Sequence, residues 1–496
     1  ECKTGSCSMS MPRKVTTVGA ITPKYKAALR SDVMGRFIAK NLTVENLHSE
    51  GLNDEVIAEV LKLHNPTDDV LLGTGLSEDA LHALKYIELH SYMKILAGKR
   101  RYFKANISKK STYKAWAKTL PFTLTKEQIL TIEDIKNDFS KEVASKRMVV
   151  GDVGSGKTMV ILASAMMMYP SRSILMAPTT ILAKQLFEEA EKFLPNLKST
   201  LVTNKTKKID LSEFDFIIGT HALLYRELPR ADLVMVDEQH RFGTQQRNML
   251  EKLVSEGEKK PHFLQFSATP IPRTQAMIET ANIDVSLITS TPFKKNIISE
   301  VIHKSDFPDL LKHIHSEIEK GNQILLVYPL VEQSEMIAYQ SIDEARGYWE
   351  KNFEDVYVTH GKDKDKEQVL LDFREKGKIL IATTVVEVGI SLPRLSTVVI
   401  VGAERLGLST LHQLRGRVSR TGLQGYCYLY TNQNTSERLD EFVDTKSGFD
   451  IANLDLKYRK SGDLLKGSTQ SGSQFKWIDL AEDEEIVGEV KKDLDI

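Results

Sequence analysis

The chain has 496 residues, 41% hydrophobic and 27% charged, enough for about three domains with ordinary buried cores. Its 67 basic and 67 acidic side chains cancel, which excludes nucleic-acid affinity built on overall basicity but not cations gathered in one cleft. Cys2, Cys7 and Cys427 have no second Cys/His pair beside them, and the longest apolar run, 159–169, is too short for a bilayer, so a reduced cytoplasmic protein is expected, with no membrane partner.

The chain starts at Glu1 rather than Met, and Val15–Ile21 reads as one short strand, the expected end of a domain otherwise absent; residues 1–23 are assigned to it. Residues 24–117 are predicted to be helical. Val56, Ile57, Val60 and Leu63 recur at helical spacing, as do Leu81, Leu84, Ile87, Tyr92, Ile95 and Leu96 farther on. The second run ends in Lys99, Arg100 and Arg101, which suits either a solvated helix end or a DNA contact.

A third region, 118–290, opens with Leu120-Pro-Phe-Thr-Leu-Thr-Lys-Glu-Gln128, where Pro and Thr mark a helix start. The Gln128 amide offers donors and an acceptor, which suits the edge of adenine. Met148–Val150 then reads as a buried strand, followed by Gly151-Asp-Val-Gly154-Ser155-Gly156-Lys157-Thr158 and an apolar helix. This is a full G-x-x-x-x-G-K-[ST] phosphate loop in its strand–loop–helix setting. The glycines let backbone N–H groups turn toward an anion, Lys157 reaches phosphate, and the Thr158 hydroxyl can hold Mg²⁺. ATP and Mg²⁺ are therefore the expected cofactors.

Further short apolar strands follow at 174–177, 214–218, 233–236 and 263–266, each ending in a polar cluster. Strands separated by helices predict a parallel sheet covered on both faces, with function at the carboxyl ends. At one such end, Asp237 is assigned to the metal and Glu238 to the attacking water. Residues 291–432 repeat the architecture without a phosphate loop, with strands expected at 323–328, 355–358, 378–382 and 397–401. Gln413–Arg420 then sets three arginines together, and Arg417 and Arg420, three apart, are expected on one side of a helical turn as cations for a transferring phosphate.

The ordered set GDVGSGKT, APTT, GTHAL, DEQH, SATPIPRT, ATTVVEVGI and QLRGRVSR resembles superfamily 2 helicases, with two RecA-like parallel-sheet lobes. The finer spelling in LPFTLTKEQ, VDEQHRFGTQQR, AERLGLSTLHQLRGRVSR and STQSG is similar to the RecG family of bacterial ATP-dependent branch-migration helicases, from about residue 21 nearly to the C-terminus. The resemblance implies that Gln128 reads adenine and that Gly154, Ser155, Gly156, Lys157 and Thr158 hold phosphates and Mg²⁺. Ser267 and Thr269 would couple the lobes, while Gly389, Arg417 and Arg420 would complete the site from the second lobe. Thr179, Thr220, His221, His360, Thr383 and Thr384 would face the DNA backbone. A helical hairpin near 436–449 and a translocation loop over 458–472, matched by Arg459, Gly462, Gly467 and Gln470, would fill residues 433–496.

The implied function is remodelling of stalled forks and Holliday junctions in repair and recombination. The implied partners are branched double-stranded DNA and, as a candidate, single-stranded DNA-binding protein, with the enzyme a monomer. The translocase module of the transcription-repair coupling factor is the alternative. The chain departs from the family at Arg459-Lys-Ser-Gly-Asp463, usually R-G-P-G-E, and at Ser419, usually Gly. The family also carries an OB-type wedge in front. With little of it expected here, poor discrimination between forks and plain duplex is expected.

Overall fold

A computed structural model describes residues 30–65, 71–72, 75–106, 112–255, 257–268, 272–293, 295–331, 339–361, 363–384, 391–419, 422–466 and 475–496. The strand expected at Val15–Ile21 lies outside the described residues, as do Cys2, Cys7, Thr269, Gly389, Arg420, Gly467, Gln470 and the Arg459 side chain. The chain forms two compact units, one of Leu96–Gly472 with Leu480–Glu482, the other of Glu1–Ile95 with Ser473–Asp479 and Asp483–Ile496.

The larger unit holds two wholly parallel sheets. In the first, β1 (Lys146–Gly151), β2 (Ser173–Met176), β3 (Ser199–Val202), β4 (Phe216–Gly219), β5 (Leu233–Val236), β6 (His262–Ser267) and β7 (Asp284–Ile288) lie in the order β3-β4-β2-β5-β6-β1-β7. Helices α1 (Lys126–Phe139), α2 (Lys157–Met168), α3 (Thr180–Phe193) and α4 (Thr244–Leu253) cover it. Because side chains alternate along a strand, Leu175 points into a core with Ile132, Val160 and Leu186, while Ile174 and Met176 point into another with Phe242 and Leu250. Both faces being buried, each inner strand reads as an unbroken apolar run.

The second sheet runs β8 (Ile297–Ile302), β9 (Gln323–Val327), β10 (Val356–Thr359), β11 (Ile379–Ala382), β12 (Leu395–Val401) and β13 (Gly425–Tyr430), in the order β8-β13-β12-β9-β11-β10. On one face, α5 (Phe307–Glu319) and α6 (Ile342–Asn352) pack on Ile324 and Leu326. On the other, α7 (Lys366–Lys376), α8 (Leu408–Arg415), α9 (Glu437–Asp444) and α10 (Gly448–Lys466) bury Leu325 and Val327. Every strand expected in the two lobes is present within two residues of its ends. Strands β3, β7, β8 and β13 were not expected; three of them are sheet edges, and β13 buries only alternate residues, so none offers a long apolar run.

The structure corrects two expectations near the C-terminus. The loop expected from Tyr458 is helical as far as Lys466, as the last part of α10. Gly462 inside it costs about 1 kcal/mol relative to Ala, too little to end a helix of this length. The last helix, Glu484–Asp493, groups with the front helices Ser31–Asn41, Val44–Ser49, Asp54–His64 and Glu78–Lys99 instead of continuing the hairpin. Long-range polar contacts fix it there: Glu88 accepts from the N–H groups of Lys476, Trp477 and Ile478 at 2.5, 2.7 and 3.1 Å, and Lys85 pairs with Asp483 at 2.6 Å. Among the described residues no helix is long and apolar enough to cross a membrane.

Candidate active site

Strand β1 delivers the chain, through buried Val149 and Val150, into the glycine-spaced loop that opens α2. Gly156 has φ +77°, and a Cβ added there would lie 2.3 Å from Gln128 Nε2. The loop is therefore closed down on Gln128, whose Nε2 donates to the Ser155 carbonyl at 2.8 Å. The other end of the same amide accepts from the Thr125 N–H at 2.8 Å and completes a capping box at the start of α1. Each of these two atoms keeps a second hydrogen-bonding capacity for the adenine contact expected of it.

Three features fit this loop to a phosphate chain. The first turn of α2 has no side-chain cap, so no capping side chain competes with an anion at this helix start. The Ser155 hydroxyl is fully buried without a hydrogen-bond partner. Lys157 Nζ donates to the Gly151 and Asp152 carbonyls at 2.6 and 3.0 Å, which holds an ammonium over the loop.

At the end of β5, Asp237 is buried and accepts from the Glu238 N–H at 2.9 Å. Burial, and next the charge of Glu238, raise its carboxyl well above the ordinary range, against the pull of Lys157. Such a site is short of positive charge, which is what a divalent cation supplies. Glu238 turns into the left-handed region, φ +49°, and its Oε2 accepts from the Ala268 N–H at 3.2 Å. Among the described residues no cluster of three or more His, Cys, Asp or Glu could hold a metal alone. Mg²⁺ takes one or two carboxylates together with substrate phosphates, so Thr158 and Asp237 fit that role.

The second lobe closes the site. Gly416, Arg417 and Ser419 face Gly154, Lys157, Thr158, Asp237 and Glu238 across a cavity of about 560 Å³. Phe122, Leu182, Leu186 and Phe293 add apolar lining suited to a heterocyclic base. The expected helical turn bearing Arg417 and Arg420 is not formed. Gly416 caps α8, and Ser419 has φ +62°, so the chain leaves the helical path between them. Arg417 lines the cavity, and Arg420 lies outside the described residues. The third arginine, Arg415, is spent on structure: it donates to the Phe442 carbonyl at 3.0 Å and lies over that ring at 4.2 Å.

Thr179, Thr220, His221, His360, Thr383 and Thr384 each follow a carboxyl end of a parallel strand. Thr179 caps α3 by accepting from Leu182 N–H at 3.2 Å, and Thr220 accepts from Ala222 N–H at 3.4 Å; both hydroxyl protons are left to donate. His221 is exposed, His360 pairs with Asp363 at 3.1 Å, and Thr383 and Thr384 directly follow β11. Of the basic cluster at the end of the front helices, Arg100 pairs with Asp284 at 2.8 Å and Arg101 is exposed. Lys295, absent from every expectation, lines the cavity and donates to the Val153 carbonyl. It stands in no motif, so nothing in the sequence marked it.

Residues 125–278 match the family described as DEAD/DEAH box helicase, and residues 306–422 match the helicase conserved C-terminal domain. With two parallel-sheet lobes closing on one phosphate loop, the chain is an ATP-dependent helicase built on paired RecA-like lobes. An ATP-dependent DNA helicase RecG of Helicobacter pylori is 48% identical over 98% of this chain and 80% of its own length. The RecG of Aquifex aeolicus is 36% identical over 88% of this chain and 59% of its own. A solved structure of RecG bound to a three-way DNA junction matches 96% of this chain and 67% of that one, with a TM-score of 0.66 and 28% identity. The chain belongs to the RecG family.

Proposed function

We propose that this helicase couples ATP hydrolysis to translocation on double-stranded DNA and remodels branched duplexes, stalled forks and Holliday junctions among them, in repair and recombination. It would act as a cytoplasmic monomer, with single-stranded DNA-binding protein as a candidate partner. One observation carries the reading: Lys157, Asp237 and Glu238 from one lobe and Arg417 from the other line a single cavity, so turnover requires both lobes. Bound Mg²⁺ would neutralise phosphate charge.

Lys157 exchanges its loop carbonyls for phosphate oxygens, and Ser155, Gly154, Gly156 and Thr158 hold the phosphate chain. Asp237 and Thr158 would hold the metal. Glu238, braced by the Ala268 N–H, orients the attacking water and takes its proton. Arg417 meets the charge developing on the transferring phosphate, joined in the family pattern by Arg420 and Gly389. Gln128 reads adenine. On the DNA side, Thr179, Thr220, His221, His360, Thr383 and Thr384, with Arg459 and Gln470 after the lobes, grip the backbone without reading bases.

The test is hydrolysis with no DNA, single strands, linear duplex and a three-way junction, together with strand release from the junction. DNA-stimulated hydrolysis with release is expected. Stimulation without release would leave translocation and remove remodelling; no stimulation by any DNA would remove both.

A further inference from the structure

A carboxylate inside a phosphate loop needs a reason, because its charge repels the ligand the loop is built to hold. Asp152 is such a residue, buried directly after β1. Its Oδ1 accepts from the Val153 N–H at 2.6 Å and lies 2.6 Å from His412 Nε2 on α8. Its Oδ2 accepts from the N–H of Gly448, the first residue of α10, at 3.1 Å.

The direction of the histidine bond follows from its other nitrogen. His412 Nδ1 lies 3.0 Å from Arg415 Nη2, which can only donate, so Nδ1 accepts and Nε2 carries the proton toward Asp152. Burial, with the Arg415 charge behind it, lowers the imidazole pKa against the pull of Asp152. Burial also works against the Asp152 charge but is outweighed by His412, Lys295 and the Val153 N–H, so the carboxyl lies well below its ordinary range. Arg415 in turn is anchored on the Phe442 carbonyl of α9. An apolar contact runs beside this chain of bonds: Phe449 of α10 is buried against Met148 and Val150 of β1, the strand that leads into the loop.

We propose that Asp152 is a positioning residue that ties the phosphate loop to α8 and to the α9–α10 hairpin, so that displacement of the hairpin by DNA resets the ATP site. The inference deepens the functional reading above and rests on it. The fit at Gly448 is tight: a Cβ added there would lie 2.7 Å from Asp152 Oδ1 and 2.9 Å from His412 Nε2. Gly448→Ala therefore wedges the hairpin from the loop without touching a group that binds ATP. Asp152→Asn keeps the shape and the carbonyl that faces Val153 and His412. It sets an amide N–H₂ against the Gly448 N–H, two donors face to face.

The experiment measures hydrolysis by the full chain, without DNA and with saturating linear duplex, alongside thermal melting. Gly448→Ala should leave basal turnover unchanged and lower the DNA-stimulated kcat about tenfold, a size usual for coupled sites. Asp152→Asn should lower the stimulation ratio in the same direction, and supplies the readout if Gly448→Ala does not fold. An unchanged ratio in both variants, or basal and stimulated turnover falling together, overturns the assignment. A wild-type chain that duplex does not stimulate removes the functional reading and this inference with it.

Discussion

Gln128 Nε2 donates to the carbonyl of Ser155 at 2.8 Å, joining the helix that precedes the nucleotide site to the loop that forms it. A residue expected to read a base thus also sets the shape of the loop that holds the phosphates. The two duties separate by experiment. Gln128→Ala removes one arm of the capping box and one buried hydrogen bond, a loss of about 1–2 kcal/mol in stability. If the amide also reads adenine, KM should rise about tenfold for ATP, one hydrogen bond's worth, and change little for GTP. Equal rises for both nucleotides would leave Gln128 as a brace only.

The loop's closure on Gln128 makes a second forecast. Gly156→Ala sets a methyl 2.3 Å from Gln128 Nε2 at a backbone angle of +77°. The left-handed conformation costs about 1–2 kcal/mol for a residue with a Cβ, before any displacement of Gln128. Nucleotide binding, followed by titration calorimetry, should be lost before the fold is.

Lys157 and Glu238 should fail differently. Lys157→Ala removes the cation that the loop carbonyls hold ready, and ATP affinity should fall with turnover. Glu238→Gln keeps the shape and loses the base, so ATP should bind normally while hydrolysis stops. Equal loss of nucleotide affinity in both variants would defeat the role assignment.

Arg417 sits in the cavity on the second lobe, facing the loop on the first. Arg417→Ala should cost about 10³–10⁵ in turnover, the usual worth of an arginine at the transferring phosphate. DNA affinity without nucleotide should hardly change. A variant with normal turnover and lost DNA binding would make this arginine part of a basic patch instead.

Ser419 holds φ +62° where the family usually places Gly, and its Oγ accepts from the Asn296 N–H at 3.3 Å. Ser419→Gly trades about 1–2 kcal/mol of backbone strain against one hydrogen bond of about 0.5–1.5 kcal/mol, so stability should hold or rise slightly. Ser419→Ala keeps the strain and loses the bond. It should lower the urea midpoint by the equivalent of about 1 kcal/mol.

What the sequence made legible was whatever neighbouring residues encode together. The phosphate loop is a contiguous strand–turn–helix, and GDVGSGKT is written into it residue by residue. Inner strands announce themselves because helices bury both faces, as at Leu233–Val236. Asp237 and Glu238 stood out in the sequence because they directly follow an apolar strand. The same logic failed where the pattern is broken: edge strand Ser199–Val202 is half-polar, and the Arg417–Arg420 spacing looked helical until Ser419 turned left-handed.

The rest was decided by residues far apart in the chain. Lys295 reaches the loop at Val153 across 142 positions, and His412 meets Asp152 across 260. The last helix joins the front helices through Tyr86 and Asp493, 407 positions apart. A local motif carries its own geometry because its backbone closes on itself, so composition and spacing suffice to name it. A hydrogen bond between distant segments forms only after both sheets have buried their faces and set the lobes against each other, so no window of sequence contains it.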